Sequence, residues 1–375
     1  MKKKLRPLLK WTGGKFDEYI LFEKYVPGFE RYIEPFFGGG GVFFALQPKG
    51  AILINDKSTD LINFYRQINQ VEFKTALLLY ADMWDELEKL ASFLWGDCAG
   101  AFSKYITHKV ELTQLIKGLE HSLNLYLKNK SLLKDEHFIL DFDLFKKMLL
   151  DSLVDKAKRI KTISAKENRH FTKIELFSHF ETGIRGGIYL FFRKILNLHA
   201  QKGIQLSAAR AAANWYFIRE FCYAAMFRFN ARGEFNIPYG GITYNKKKFR
   251  GKIERIFTDE VAKLFGKSVF SNEDFEYFLN NSNLNERDFI FVDPPYDTEF
   301  SEYDRSAFTQ KDQERLASFL IKTPAKWMLV IKETSFIRNL YSRPNINIKV
   351  FEKNYAYNVR GRNKRGVTHL IIMNY

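Results

Sequence analysis

Four consecutive residues, Asp293-Pro294-Pro295-Tyr296, join an acid, two proline carbonyls and an aromatic ring. They follow Phe289-Ile290-Phe291-Val292, an apolar run bounded by Arg287 and Asp288 that reads as a buried strand. An acid at the C-terminal end of a strand in an open α/β sheet lies where such folds bind ligands. Two prolines remove two backbone donors and stiffen the turn, while their carbonyls can still accept. Tyr296 adds a flat face beside those acceptors. Together they make an acceptor-rich slot with an aromatic floor. It suits a planar amino group such as adenine N6 or cytosine N4. Asp-Pro-Pro alone is equally the signature of a plain strand end with a tight turn.

The slot needs a sheet to carry it, and the chain supplies one in two pieces. Arg31-Tyr32-Ile33-Glu34 reads as a strand, Pro35-Phe36-Phe37-Gly38-Gly39-Gly40-Gly41 as a turn, and Val42 to Leu46 as a helix. Strand, glycine turn and helix form the first unit of a nucleotide-binding sheet, and the glycines permit close approach to the backbone. The spacing is not that of a dinucleotide fingerprint, because Phe43 and Phe44 follow the last glycine. A second strand over 51–55 ends in Asp56, placed to bind ribose hydroxyls or to cap a helix. Ser58 can cap that helix, and Leu61, Ile62, Tyr65 and Ile68 share its inner face. The alternation then stops until about residue 227. It resumes with a helix near 252–265, a strand at 267–271 followed by Asp274 and Phe275, the Asp293 strand, and a helix near 310–322. Strands at 326–331, near 346–352 and at 368–373 complete it, with a basic hairpin expected over 355–366.

Between the two pieces, Leu112, Leu115, Leu119 and Leu123 mark one amphipathic helix, and Leu140, Phe142, Leu144 and Leu149 suggest another. A basic run follows, from Lys156 through Lys158, Arg159, Lys161, Lys166, Arg169 and His170 to Lys173. It reads as a phosphate contact or a solvated helix face. The segment 183–199 mixes basic and aromatic residues, and the whole region is expected to grip the substrate. The stretch from Arg228 to Gly241 reads as a hairpin in which Arg228, Asn230, Arg232 and Asn236 carry base-edge and phosphate chemistries. The expected division is therefore 1–69 with 245–375 as one discontinuous catalytic domain, and 70–244 as an insertion.

Composition narrows the partner. The chain has 375 residues and a formal net charge of +16, which favours a polyanion, nucleic acid above all. No apolar stretch approaches a membrane-spanning length. Met1-Lys2-Lys3-Lys4 begins like a signal peptide, but Arg6, Pro7 and Lys10 leave no apolar run behind it. Cys98 and Cys222 are the only cysteines, without metal-ligand spacing, so a disulfide framework and a zinc site are not expected. Gly13-Gly14-Lys15 lacks the earlier glycine and the following Ser or Thr of a phosphate loop, which disfavours a nucleotide triphosphatase.

The order Lys10-Trp11-Thr12-Gly13-Gly14-Lys15, Glu34-Pro35-Phe36-Phe37-Gly38-Gly39-Gly40, Asn55-Asp56, the Arg228–Gly240 hairpin and Asp293-Pro294-Pro295-Tyr296 resembles the Dam-like, alpha-type DNA adenine-N6 methyltransferases. No matching residues are evident over 70–215. The resemblance implies an α/β, Rossmann-like seven-stranded methyltransferase sheet that binds S-adenosylmethionine, with an inserted, mostly helical target-recognition domain. It places Trp11 and Lys15 near the cofactor. Glu34, Phe36, Gly38 and Gly40 would line the methionine end, Asp56 would hold the ribose, and Asp274 with Phe275 the adenine ring. Asp293, Pro294, Pro295 and Tyr296 would form the catalytic slot for the target base. Arg228 matches a DNA-contacting position. Ala224 and Met226 stand where the GATC enzymes carry Asn and Leu, so a GATC target is not implied. The resemblance further implies a cytoplasmic enzyme, bacterial or phage-encoded, acting on double-stranded DNA without a metal, with a restriction endonuclease as a possible companion.

The chemistry that follows is methyl transfer to adenine N6 on a base flipped from the duplex. Cytosine-N4 methylation uses the same slot and is the nearest alternative. A catalytically silent DNA-binding module and a nicotinamide-dependent dehydrogenase are the others. Neither cysteine follows a proline, as a cytosine-C5 nucleophile would.

Overall fold

The computed structural model describes residues 5–128, 133, 135, 137–295, 308–354 and 366–375. Tyr296 and the expected basic hairpin at 355–365 lie outside them. The chain divides into two compact units, Met1–Asn69 with Arg255–Tyr375, and Gln70–Glu254. The second boundary falls later than residue 244 because the intervening segment belongs to the inserted unit. Asn245 donates to Thr182 Oγ1 at 3.0 Å, Phe249 packs on Phe221 at 5.2 Å, and Arg250 pairs with Asp82 at 2.6 Å.

The first unit carries one seven-stranded sheet. Its strands are β1 (Arg31–Glu34), β2 (Ala51–Asn55), β3 (Ser268–Ser271), β4 (Asp288–Val292), β5 (Lys326–Lys332), β6 (Asn347–Asn354) and β7 (Gly366–Met373). Their spatial order is β3-β2-β1-β4-β5-β7-β6. The first five run parallel, and β7 lies antiparallel between β5 and β6. The last strand in sequence is thus interior, and β6 forms that edge. Central strand β4 is buried at every position, as a parallel strand covered on both faces must be. Arg31 at the start of β1 pairs with Asp288 at the start of β4 at 2.6 Å, fixing the register of the two central strands. One core layer gathers Ile33, Ile290, Val292, Trp327, Leu329 and Leu370 beneath the helices α11 (Phe275–Asn280), α12 (Gln310–Lys322) and α13 (Ser335–Tyr341).

Helices α2 (Gly41–Leu46) and α3 (Thr59–Gln67) follow β1 and β2. Leu61, Ile62, Tyr65 and Ile68 are all buried. The helix expected near 252–265 is two, α9 (Phe249–Ile256) and α10 (Asp259–Phe265), because Thr258 takes an extended backbone as the N-cap of the second. A short helix, α1 (Tyr19–Phe22), precedes β1.

The inserted unit is helical: α4 (Val71–Ile106), α5 (Leu112–Lys128), α6 (Phe142–Lys166), α7 (Lys173–Ala200) and α8 (Ala208–Phe221). Its centre is aromatic. Trp84 meets Phe221 at 3.9 Å, and Tyr80 meets Phe192 at 4.8 Å and Phe217 at 5.1 Å. Most of the mixed basic and aromatic segment 183–199 is buried, with Lys194 exposed. It is the core of α7, with Arg185 buried, paired to Glu181 at 2.7 Å and lying over the Trp84 ring at 4.4 Å. Cation–π contact and an ion pair together satisfy a guanidinium that the sequence alone offers to phosphate.

Helices α6 and α7 approach closely through glycines. A Cβ at Gly187 would lie 2.7 Å from Leu149 Cα, and one at Gly183 would lie 3.0 Å from a Leu153 methyl. Backbone cannot swing aside as a side-chain tip can. Gly187→Val is therefore expected to destabilise the protein by about 1–3 kcal/mol through overpacking. Thermal denaturation checks it, and an unchanged midpoint would show that α6 can slide.

Candidate active site

The chain runs from β1 outward through β2 and β3 on one side, and from β4 through β5 on the other. The crevice at that reversal, outside the carboxyl ends of the strands, is where open α/β sheets bind ligands. Four acids lie along this edge. Glu34 ends β1, Asp56 follows β2, Asp293 follows β4, and Asp274 follows β3.

Asp293 is held by Lys15. The Lys15 ammonium, 2% exposed, donates to Asp293 Oδ1 at 2.6 Å and to the Gly13 carbonyl at 2.9 Å. An ammonium this buried needs a carboxylate and further acceptors. The Gly-Gly-Lys stretch therefore grips the Asp-Pro-Pro turn instead of a phosphate. Downstream, the Pro295 carbonyl accepts from Gln313 Nε2 on α12 at 3.1 Å.

Glu34 is buried and accepts from the Tyr32 hydroxyl at 2.7 Å. Burial pushes its carboxyl well above the ordinary value of 4.5. The Tyr32 bond opposes the rise, and nearby Asp293 and Asp56 add to it. Tyr32 was not singled out in the sequence, although residues two apart on a strand share a face. Asp56 accepts from the Gly38 N–H at 2.8 Å and the Ser58 N–H at 2.9 Å. Ser58 occupies the N-cap of α3 but makes no side-chain capping bond. Asp56 thus ties the glycine turn to the start of α3.

The glycine turn is packed by the chain's own residues. Gly38 and Gly40 take left-handed backbone, φ 50° and 65°. A Cβ at Gly38 would stand 2.8 Å from the Trp11 ring, and one at Gly41 would stand 2.8 Å from the Lys15 backbone nitrogen. The close approach these glycines permit is used by the Trp11–Lys15 segment. Phe36 lies against Phe275 at 5.3 Å and Phe308 at 5.5 Å.

Asp274 caps α11, accepting from the Glu276 N–H at 3.0 Å, and pairs with Arg315 at 2.7 Å. Arg315 also reaches Glu276 and Asp312, at 2.8 and 2.9 Å, and covers the buried Phe275 ring at 4.9 Å. Neither Arg315 nor Gln313 was singled out in the sequence. Their partners lie on separate elements, and no local spacing announces them. Among the described residues, no cluster of three or more His, Cys, Asp or Glu side chains could hold a metal ion. No described helix is long and apolar enough to cross a membrane.

In the inserted unit, Phe229 and Phe235 pair antiparallel and Gly233 turns at φ 73°, so the expected hairpin forms. Arg228 and Arg232 are exposed on it. Asn230 does not project as a base reader would. Its Oδ1 accepts from the N–H groups of Arg232 and Glu234, both at 3.0 Å, and its amide donates to Glu234. Asn236 Oδ1 accepts from Arg228 Nε at 3.4 Å.

The family model of D12 class N6 adenine-specific DNA methyltransferases matches residues 11–93 and 123–357. The chain belongs to this family. The match runs through most of 70–215, where the sequence motifs were silent, and leaves out 94–122, within α4 and α5. The chain is 33% identical over 168 residues to the Type II methyltransferase M.CviBI of Paramecium bursaria Chlorella virus NC1A, covering 44% of this chain and 61% of that protein. It is 25% identical to the Type II methyltransferase M.MjaIII of Methanocaldococcus jannaschii, covering 99% of each. It is 22% identical to a DNA adenine methylase of Vibrio cholerae, covering 96% of this chain and 94% of that one. This D12-class protein is an adenine-specific DNA methyltransferase. Cytosine-N4 transfer, a silent binding module and a dehydrogenase are thereby set aside.

The Glu34 environment makes a test of the enzyme's acidic edge. Its folded pKa lies above the unfolded value, so its contribution to stability is fully present below the ordinary carboxylate range and is lost as pH climbs through the raised value. Glu34→Gln mimics the protonated form at every pH and still accepts from Tyr32. The variant's melting temperature is expected to exceed that of the native protein by a margin that widens upward from the ordinary carboxylate range. Superimposable pH profiles would show that burial does not disfavour the Glu34 charge.

Proposed function

We propose that this enzyme methylates adenine N6 within a specific duplex sequence, using S-adenosylmethionine and a flipped-out base, as the modification half of a restriction system. The observation that carries the reading is the buried Lys15–Asp293 pair at the head of the Pro-Pro turn. The relatives named Type II methyltransferases favour the restriction context.

The residues fit the cofactor. S-adenosylmethionine bears an ammonium, a sulfonium and a ribose diol, and the strand ends offer Glu34, Asp56 and Asp293. Glu34 would meet the ammonium, whose arrival offsets the penalty on its buried charge. Asp56, already aimed by two backbone N–H groups, would take the ribose hydroxyls. Trp11, Phe36, Gly38 and Gly40 would flank the methionine end, and Asp274 with Phe275 the adenine. Asp274 would do so while bound to Arg315. When bound, the cofactor supplies a methyl group on a sulfonium whose departure leaves a neutral thioether.

The rest falls to the chain. Adenine N6 is a poor nucleophile because its lone pair is delocalised into the ring. Lys15 donates to Asp293 Oδ1 and orients the carboxylate that would accept one N6 hydrogen. The Pro294 carbonyl accepts the other. The nitrogen then turns toward tetrahedral geometry and its lone pair is released. Asp293 stabilises the positive charge that N6 gains, a preorganised electrostatic contribution, until N6 releases one of its two hydrogens to water as a proton. Tyr296 stacks on the ring. No thiol need act. Burial pushes the Cys222 thiol up to about 11 and also raises Cys98, so neither favours the thiolate.

The inserted unit is assigned target recognition, and a flipped base is required because the target is otherwise inside the stack. Arg228 and Arg232 on the exposed hairpin would read base edges, with Asn236 orienting Arg228. Lys158 and Lys166, exposed on α6, would meet phosphates.

Two experiments test this reading. Asp293→Asn keeps an oxygen for Lys15 but loses the charge. It is expected to reduce methyl transfer by at least about a hundredfold while DNA binding persists, as measured with labelled cofactor and a gel shift. Near-native turnover would refute the mechanism. For recognition, a good bidentate base contact is worth roughly 1–3 kcal/mol of discrimination. Arg228→Ala should weaken cognate binding more than non-cognate binding and relax the methylated motif at one position. Lys158→Ala with Lys166→Ala should weaken both duplexes alike and flatten the salt dependence. Salt titrations on both duplexes, with motif sequencing after expression, decide it. Equal loss on both duplexes with Arg228→Ala would make Arg228 a phosphate clamp.

A further inference from the structure

Two adjacent prolines create a mechanical problem. Pro294 and Pro295 have no N–H, so these two residues can hydrogen-bond only through their carbonyls. Asp293 and Pro294 each precede a proline and are pressed toward extended backbone, in which successive carbonyls point away from one another. The Pro295 ring fixes the φ that lies between the Pro294 and Pro295 carbonyls, so securing the second restricts where the first can point.

Helix α12 supplies the anchor. Its start is fixed by a capping box between Thr309 and Asp312. It is also fixed by Arg315, which bridges to Asp274 and Glu276 at the start of α11. One turn in, Gln313 is fully buried and donates from Nε2 to the Pro295 carbonyl at 3.1 Å. The amide orientation is determined by that contact, since the reverse would oppose two oxygens. The other half of the amide is unusual. Among the described residues, Gln313 Oε1 is buried without a hydrogen-bond partner. A buried unpaired amide oxygen disfavours folding, and an apolar side chain of the same length would avoid it. The donor of Gln313 is thus retained against a stability penalty.

We propose that Gln313 is a positioning residue for the target-base slot. Its buried amide holds the Pro295 carbonyl against α12 and thereby turns the Pro294 carbonyl toward the base amino group. The inference rests on the reading that Asp293 and Pro294 receive adenine N6. Lys15 secures one end of the turn and Gln313 the other.

Gln313→Met and Gln313→Leu remove the donor and the unpaired oxygen together. Both are expected to melt at or above the native temperature. Both should bind duplex with native KM and lose about a hundredfold in kcat, the scale of misplacement by about an ångström. The assay is steady-state transfer of labelled methyl to duplex DNA, with thermal melts and calorimetric binding of S-adenosylhomocysteine on the same preparations. Native kcat in either variant would overturn the proposal. So would a loss of kcat that tracks a fallen melting temperature or weakened cofactor binding, which marks a purely structural residue. Native protein run in parallel separates the two levels. If it methylates no adenine, the slot reading fails first, whatever the variants do.

Discussion

A buried ammonium against a carboxylate is the constraint around which the first unit is organised. Lys15 and Asp293 are 278 positions apart, yet meet at 2.6 Å. Removing either partner would strand a charge in a site with little access to water, which is why the pair must be assembled whole. Its assembly draws in the rest. Lys15 can reach Asp293 only if its backbone lies against Gly41, where a Cβ would intrude, and if Trp11 lies on Gly38. The glycine turn is in turn fastened to β2 by Asp56. One ion pair thus couples the N-terminal segment, the turn after β1, the end of β2 and the Pro-Pro turn.

Much of the fold was legible because its signals are local. Apolar runs such as 289–292 and 327–331 stand out, the first ending in Asp293, and a glycine-rich turn separates a strand from a helix. A parallel sheet writes itself in such segments. Order within the sheet is less local. That β7 enters between β5 and β6 follows from antiparallel pairing that no single segment announces. The helix break at Thr258 was hidden in the same way, since Val261, Leu264 and Phe265 continue an apolar face across it.

The site was legible in its types and less so in its partners. Asp56 and Asp293 could be named because acids at strand ends carry meaning by position. That Lys15 grips Asp293, that Arg315 clamps Asp274 and that Gln313 holds Pro295 are facts of tertiary structure. The inserted unit shows the opposite failure. Arg185 and its aromatic neighbours look like a nucleic-acid surface in one dimension, and three dimensions turn them inward onto Trp84. Asn230 likewise looks like a base reader but is consumed by its own turn.

The sheet's strand order has a consequence for synthesis. Strand β1 sits between β2 and β4, but β4 is made only after the whole of 70–254. While the ribosome works through the insertion, β1 and β2 have emerged, each with one hydrogen-bonding edge unoccupied. Such an edge is a template for pairing with another chain. The helical insertion is rich in local contacts and can fold during this interval, since domains fold as units in the order they appear. The acids and glycines of the first strands therefore wait, and the catalytic edge is completed last, when Asp293 arrives to meet a lysine made near the start.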